Sequence, residues 1–273
     1  MRWLLKKLKI YPNAYYNYKK HKKASYNKQR KQVLTKITEI YHSKKGISGY
    51  RQMKIYLERQ GINRSLPTVH IYMNKILGLR SIVRPKKPDY SKGKAHKVFD
   101  NLIKQNFSSN RINYKWCIDF TYLFLKDGSK RYNCTIIDLY DRSVIASITD
   151  RNITADLAKR TLKKALKSQK ITKAKNLILH SDQGSQYTSK EFTDFCKELG
   201  VTQSMSKAGY PYDNAPMERY FNTLKNEYIY HHEFTEEKEL YDGIDEFAYV
   251  TYNHERPHSY NNYKTPFEAR YAA

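Results

Sequence analysis

Cysteine is scarce in this 273-residue chain: Cys117, Cys134 and Cys196 are the whole supply, an odd number with no CxxC spacing. That excludes a disulfide scaffold and a cysteine-built zinc ribbon. Each thiol sits in an apolar stretch, so all three are expected to be reduced and buried. Long apolar runs are missing as well. No stretch approaches the ~18 residues that a membrane span requires, and the start, Met1 to Ile10, has a tiny apolar centre and no small-residue cleavage site. The expected location is therefore the cytoplasm, with no membrane attachment. Acidic residues are the third shortage: 26 Asp and Glu stand against 51 Lys and Arg, for a net charge of +25 and a pI near 9.7. Such an excess repels itself unless a polyanion neutralises it, and nucleic acid is the usual one. The basic residues run through the chain rather than forming a tail, which favours nucleic acid over an anionic membrane. The abundance of Lys, Asn and Tyr matches an AT-rich genome, and most of the 26 tyrosines need no function.

What is present divides near residue 83. Residues 1–30 are basic and Tyr-rich, read as a short helix and then an arm. From Gln29 to His42, Val33, Ile37, Ile40 and Tyr41 recur at helical spacing. Gly46 to Gly49 ends that helix. A second, Tyr50 to Gln60, is closed by Gly61, and a third, from about Pro67 to Leu77, by Gly78. Three short helices with a tight turn between the last two describe a small all-α helix-turn-helix unit, residues 1–82, with Arg51, Lys54, Arg64 and Lys75 as candidate DNA contacts. Residues 83–108, rich in Pro and Lys at their start, read as a basic linker.

From residue 109 to 273 the pattern becomes α/β. Tyr114–Leu125 reads as a strand, Asp127-Gly128 as a hairpin turn, and Tyr132–Tyr140 and Ser143–Thr149 as two more strands. A helix from Thr154 to Ser168 crosses to an apolar strand, Asn176–His180. Thr188-Ser189-Lys190-Glu191 reads as a capping box opening a helix that ends at Gly200. A fifth strand, Val201–Met205, a Gly/Pro-rich loop, a helix from about Ala215 to Tyr228 and a last helix from Glu236 to Tyr252 behind Thr235 complete the chain. This order, a mixed five-stranded sheet with helices on both faces, resembles the ribonuclease H-like fold.

Three carboxylates stand out together. Asp119 lies in an otherwise apolar strand, where an anion is costly unless a cation or hydrogen bonds compensate it. Asp182 directly follows the strand Leu177-Ile178-Leu179, expected to be a parallel neighbour of the first because a helix joins them. Glu218 lies on the helix after the loop, on a face shared with Asn222 and Lys225, while Met217, Phe221, Leu224 and Tyr228 form the inward stripe. Hard oxygen ligands that leave sites open for water and phosphate suit two-metal phosphodiester chemistry.

The motifs around them resemble a known family. Asp119, Asp182 and Glu218, with 35 residues between the last two, are similar to the DDE triad of retroviral-type integrases and transposases. His180-Ser181-Asp182-Gln183-Gly184-Ser185-Gln186-Tyr187, Gly209 to Glu218, Phe221 to Lys225 and Tyr252-Asn253-His254-Glu255-Arg256-Pro257-His258 resemble the OrfB transposases of insertion sequence family three. Gly49-Tyr50-Arg51 and the Gly61 to Arg64 region resemble its upstream helical domain, although Ser65–Ile71 matches loosely. The resemblance spans roughly residues 45–270. It implies a ribonuclease H-like integrase core, DNA cleavage and strand transfer by attack of a 3′-hydroxyl, and Asp119, Asp182 and Glu218 as ligands of two Mg²⁺ or Mn²⁺ ions. It also implies double-stranded DNA (insertion-sequence ends and target) as partner, a homo-oligomer on that DNA, and an upstream reading-frame product, often fused by frameshifting. A chain that starts at Met1 would lack that upstream part. Asn214, Lys225 and Arg256 are further candidates for organising the site or gripping DNA.

Two other readings stay open: a DNA-binding regulator, and a structure-specific nuclease of the same fold. The paired His and paired Cys of the retroviral integrase zinc domain are absent. His254 and His258 have zinc-like spacing but no cysteine companions.

Overall fold

The computed structural model describes residues 1–20, 22–82, 97–207 and 211–272. The chain divides into two compact units, Met1–Arg84 and Pro85–Ala273. Most of the expected basic linker, residues 83–96, lies outside the described residues.

The first unit is helical: α1 (Arg2–Lys7), α2 (Pro12–Lys19), α3 (Lys22–Ser43), α4 (Tyr50–Arg59) and α5 (Leu66–His70), the last running on through a wide i→i+5 turn at Ile71–Ile76. Pro12 opens α2, where its fixed φ suits the first turn. The sequence reading of one short helix and an arm is thus corrected to two short helices. α3 begins at Lys22 rather than Gln29, because no Gly or Pro interrupts the polar stretch between them. Val33, Ile37 and Ile40 from α3 meet Met53 and Leu57 from α4 and Val69 and Met73 from the third helical stretch in one buried cluster. Gly61 follows α4 at φ +76°, a conformation that side chains resist. The Ser65 hydroxyl accepts the Thr68 amide and caps α5.

The second unit carries the sheet. β1 (Lys115–Phe124), β2 (Lys130–Asp138) and β3 (Val144–Asp150) form an antiparallel meander. α6 (Ala155–Ser168), capped by Thr154, leads to β4 (Ile178–Ser181). α7 (Ser185–Thr188), α8 (Lys190–Leu199) and β5 (Thr202–Met205) follow. The order is β3-β2-β1-β4-β5, with β1, β4 and β5 mutually parallel, so β1 is central. A 3₁₀ turn at Pro211–Asn214 opens α9 (Ala215–Glu227). α10 (Glu237–Glu246) continues into a second wide-turn stretch, Phe247–Glu255, and α11 (Pro266–Arg270) ends the chain.

One sheet face, with Trp116, Ile118, Cys134 and Ile136, packs on apolar residues of α6 and α8. The other, with Cys117, Ile137 and Val144, packs on Met217, Tyr220 and Leu224 of α9 and on Phe247 and Tyr252. The three cysteines are buried, and burial pushes each thiol up to about 12.

Two expected caps shift by a residue. Ser189, not Thr188, caps α8 by accepting the Phe192 amide at 3.2 Å, and Thr188 turns back to the Gly184 carbonyl. α10 starts behind Glu236 rather than Thr235, whose amide instead donates to Glu239. The final helical stretch also runs past Tyr252 to Glu255, and α11 was not foreseen. It is held by a capping box, Thr265 with Glu268.

Candidate active site

β-propensity and the meander set the first position. The β1 sequence, rich in aromatic and β-branched residues, alternates its side chains, so Cys117, Asp119 and Thr121 point to the face covered by α9. The parallel pairing of β1 with β4 ends at Cys117 opposite His180. Asp119 and Asp182 each lie two residues beyond that pair, at the same end of adjacent strands. Glu218 comes in from the first turn of α9.

Asp182 and Glu218 lie near enough to Asp119 for their charges to act on it. Burial pushes the Asp119 carboxyl well above its usual range, and the charge of Asp182 pushes it further. The Phe120 amide, which donates to Asp119 Oδ1 at 2.8 Å, works the other way. Glu218 then raises it and Lys225 lowers it. The structure therefore places Asp182, Glu218 and Lys225 within electrostatic reach of Asp119. Among the described residues, no three His, Cys, Asp or Glu side chains are grouped closely enough to hold a metal ion. The donor set still fits a divalent cation: a half-buried carboxylate crowded by two others keeps its proton unless positive charge arrives.

The surrounding loops are fixed by local chemistry. The Gly184 amide donates to Asp182 Oδ1 at 2.9 Å, and a Cβ at residue 184 would lie 2.9 Å from that same oxygen. Only glycine lets the backbone come so close. His180, fully buried, binds the loop that precedes α9. Its Nε2 lies 2.8 Å from the Asp213 carbonyl oxygen, which can only accept, so Nε2 carries the proton. Nδ1 then accepts the Ser204 hydroxyl at 2.9 Å. The Asp213 carboxylate accepts Asn101 Nδ2, Gln105 Nε2 and the Lys207 amide at 2.9–3.0 Å. This latch sets where α9 starts, and therefore where Glu218 lies.

The remaining sequence candidates fall out differently. Asn214, one turn before Glu218, is 8 % exposed, and neither atom of its amide has a partner. Arg256 is held by Glu227, with Nε and Nη2 each 2.7 Å from a carboxylate oxygen. In the first unit Arg51 and Lys75 are exposed, Lys54 is paired with Glu58, and Arg64 donates to the Asn63 carbonyl. His254 packs edge-on against Phe267, while His258 accepts the Tyr260 amide at Nδ1 and is pushed down to about 3 by burial and the nearby Arg256, Arg142 and Arg219.

Sequence reasoning missed a buried polar layer beside Asp119. Thr135, the β2 partner of Asp119, donates to Asn133, whose amide donates to Ser147 at 2.8 Å and Thr149 at 3.1 Å. It also missed Tyr187, whose buried hydroxyl lies where the charges of Asp119 and Asp182 reach it. The only sequence signal was a run of polar residues in β2 where a core strand should be apolar.

Comparison with known proteins accounts for this architecture. Residues 109–211 and 199–266 match models described as integrase core domain. The chain is 34% identical over 224 residues to the InsK protein of insertion sequence element IS150 from Escherichia coli (strain K12), covering 82% of this chain and 77% of that one. It is 31% identical over 249 residues to the transposase of insertion sequence element IS904 from Lactococcus lactis, covering 90% and 96%. The chain belongs to the integrase-core transposases of insertion sequence family three. The transposase fold is also seen in a simian T-cell lymphotropic virus intasome at a TM-score of 0.50 and 16% identity, over 88% of this chain and 75% of that one. No helix among the described residues is long and apolar enough to cross a membrane.

Proposed function

We propose that this transposase cuts and joins insertion-sequence DNA at Asp119, Asp182 and Glu218, with a 3′-hydroxyl as attacking group. The observation that carries the reading is the shared field of the three carboxylates at Asp119, built from two strand ends and one helix. Two Mg²⁺ or Mn²⁺ ions held by these residues would activate the attacking hydroxyl and stabilise the leaving oxygen. Asp119 and Asp182 orient the site from the sheet, and Glu218 closes it from α9. Lys225 supplies a positive charge for the phosphate. Asn214, with its unused amide one turn below Glu218, organises the site from within the loop. No side chain acts as nucleophile.

Residues 1–82 serve as a helix-turn-helix DNA-binding region, with Arg51, Lys54, Arg64 and Lys75 as contacts. Residues 83–108 lead into the catalytic core, 109–273, and the later part of that segment packs onto the core, with Ile103 buried and Asn101 and Gln105 holding Asp213. Arg256 acts on DNA indirectly, by fixing α9 through Glu227. Double-stranded DNA, further copies of the chain and an upstream reading-frame product are the partners, in the cytoplasm on the nucleoid.

The test is strand rejoining on a branched DNA that mimics an integration product, with Mn²⁺ and an EDTA control. Wild type gives joined strands; Asp119→Asn, Asp182→Asn and Glu218→Gln give none while remaining folded. Hydrolysed ends alone would point to a structure-specific nuclease. DNA binding with no metal-dependent chemistry, even beside the upstream product, would point to a regulator.

A further inference from the structure

The first 38 residues contain twelve Lys and Arg and no Asp or Glu; the first acid is Glu39. The same segment holds Trp3, Tyr11, Tyr15, Tyr16, Tyr18 and Tyr26. A globular core would bury such rings, but Trp3 is 67%, Tyr11 83%, Tyr18 76% and Tyr26 57% exposed. α2 buries no residue at all. Tyr11, Tyr15 and Tyr18 follow at i, i+4 and i+7 along α2, so these rings share one face, with Asn17, Lys19 and Lys20 on the flanks.

Ala14, Asn17, Tyr18, Lys23 and Tyr26 line a pocket of about 290 Å³. Its chemistry has three parts. Two phenol rings offer flat faces, the Asn17 amide offers a donor and an acceptor, and the Lys23 ammonium offers a cation. The Tyr26 hydroxyl lies 3.4 Å from that of Tyr72, which ties this wall to the helical core. Trp3 is covered on one side by the Lys7 ammonium, 4.5 Å from the ring centroid.

A polyanion with exposed π faces satisfies all of these groups at once. Duplex DNA presents phosphates but keeps its base faces stacked inside, so it leaves the rings unused. An unpaired strand offers both. We propose that residues 1–38 form a second nucleic-acid surface, which binds single-stranded DNA by stacking its bases on Trp3, Tyr11, Tyr18 and Tyr26 between lysines. This inference rests on the reading that the chain works on DNA.

The experiment uses the full chain in EDTA, so that no chemistry occurs. Anisotropy is measured with oligothymidylate of about 20 nucleotides, with duplex DNA of equal length, and with equimolar phosphatidylserine–phosphatidylcholine vesicles. The variant carries Trp3→Ala, Tyr11→Ala and Tyr18→Ala, all at exposed positions. Its affinity for oligothymidylate is expected to fall roughly tenfold or more, with duplex affinity unchanged within about twofold. A companion with Tyr11→Phe and Tyr18→Phe, which keeps the ring faces, binds oligothymidylate like wild type. Equal loss on both DNAs, no loss on oligothymidylate, or a loss confined to vesicles would overturn the proposal. Duplex binding retained with no single-strand effect sinks this inference alone, whereas a wild type that binds neither DNA sinks the DNA reading itself.

Discussion

Asp182 raises the proton affinity of Asp119 across the gap between neighbouring parallel strands, second only to burial. The two carboxylates occupy equivalent places because the β1–β4 pairing stops at Cys117 and His180, two residues before each. One consequence concerns stability. A carboxylate whose folded pKa lies above its unfolded value stabilises the fold while protonated, and this is lost as pH rises through the folded pKa. Near neutral pH without metal, Asp119 therefore costs stability. Asp119→Asn should raise Tm in EDTA by roughly 2–4 °C, the size of a ~1 kcal/mol change in a unit of this length. Adding Mn²⁺ should stabilise wild type and leave the variant unmoved. Thermal scans with and without metal decide it; a variant less stable than wild type in EDTA would refute the assignment of cost.

His180 gives the opposite sign. Burial holds its pKa below the ordinary value, and it stays neutral between Ser204 and the Asp213 carbonyl. A base with a depressed folded pKa loses stability as pH falls below its unfolded value, here about 6.5. The slope of stability against pH between about 5 and 6.5 should therefore flatten in His180→Phe. The variant should also cost about 1–3 kcal/mol at pH 8, because it leaves Ser204 and the loop carbonyl without their partner. Urea titrations at several pH values measure both.

Arg256 and Glu227 form a two-pronged pair with both side chains under 20 % exposed. A double-mutant cycle with Arg256→Gln and Glu227→Gln should give a coupling of ~1.5 kcal/mol. The salt dependence of DNA binding should stay as in wild type, since Arg256 spends its charge on Glu227. A slope reduced by about one counterion would instead place Arg256 on a phosphate.

Arg270 is the deepest cation among the described residues that form ion pairs. Its Nη1 donates to Asp138 at 3.1 Å, Asp141 at 2.6 Å and Ser143 at 3.2 Å, and Nη2 to Asn113 at 3.2 Å. Both acids are fully buried. Arg270→Met should cost about 3–5 kcal/mol, because it leaves two buried carboxylates without a cation. The triple variant with Asp138→Asn and Asp141→Asn should recover much of that. Denaturant midpoints test both; an Arg270→Met chain as stable as wild type would show that the pair contributes nothing net.

Much of this protein follows from its amino-acid sequence alone. Period-3.6 spacing placed Val33, Ile37 and Ile40 in the helical core, period-2 alternation placed the meander, and Asp127-Gly128 placed its turn, because each depends on neighbours a few residues apart. Asp119 was legible for a similar reason: an acid inside an apolar strand is anomalous on its own. The tertiary structure decided what depends on distant partners. Arg256 carried no local sign of its partner, since Glu227 lies 29 residues away and only the fold brings it alongside. Arg270 carried no local signal, since its acids lie 132 and 129 residues back. Asn214 kept a polar side chain that only the packed loop shows to be buried and unused. Local sequence sets which element forms, whereas burial, and with it charge cost and pKa, is a property of what other segments of the chain bring alongside.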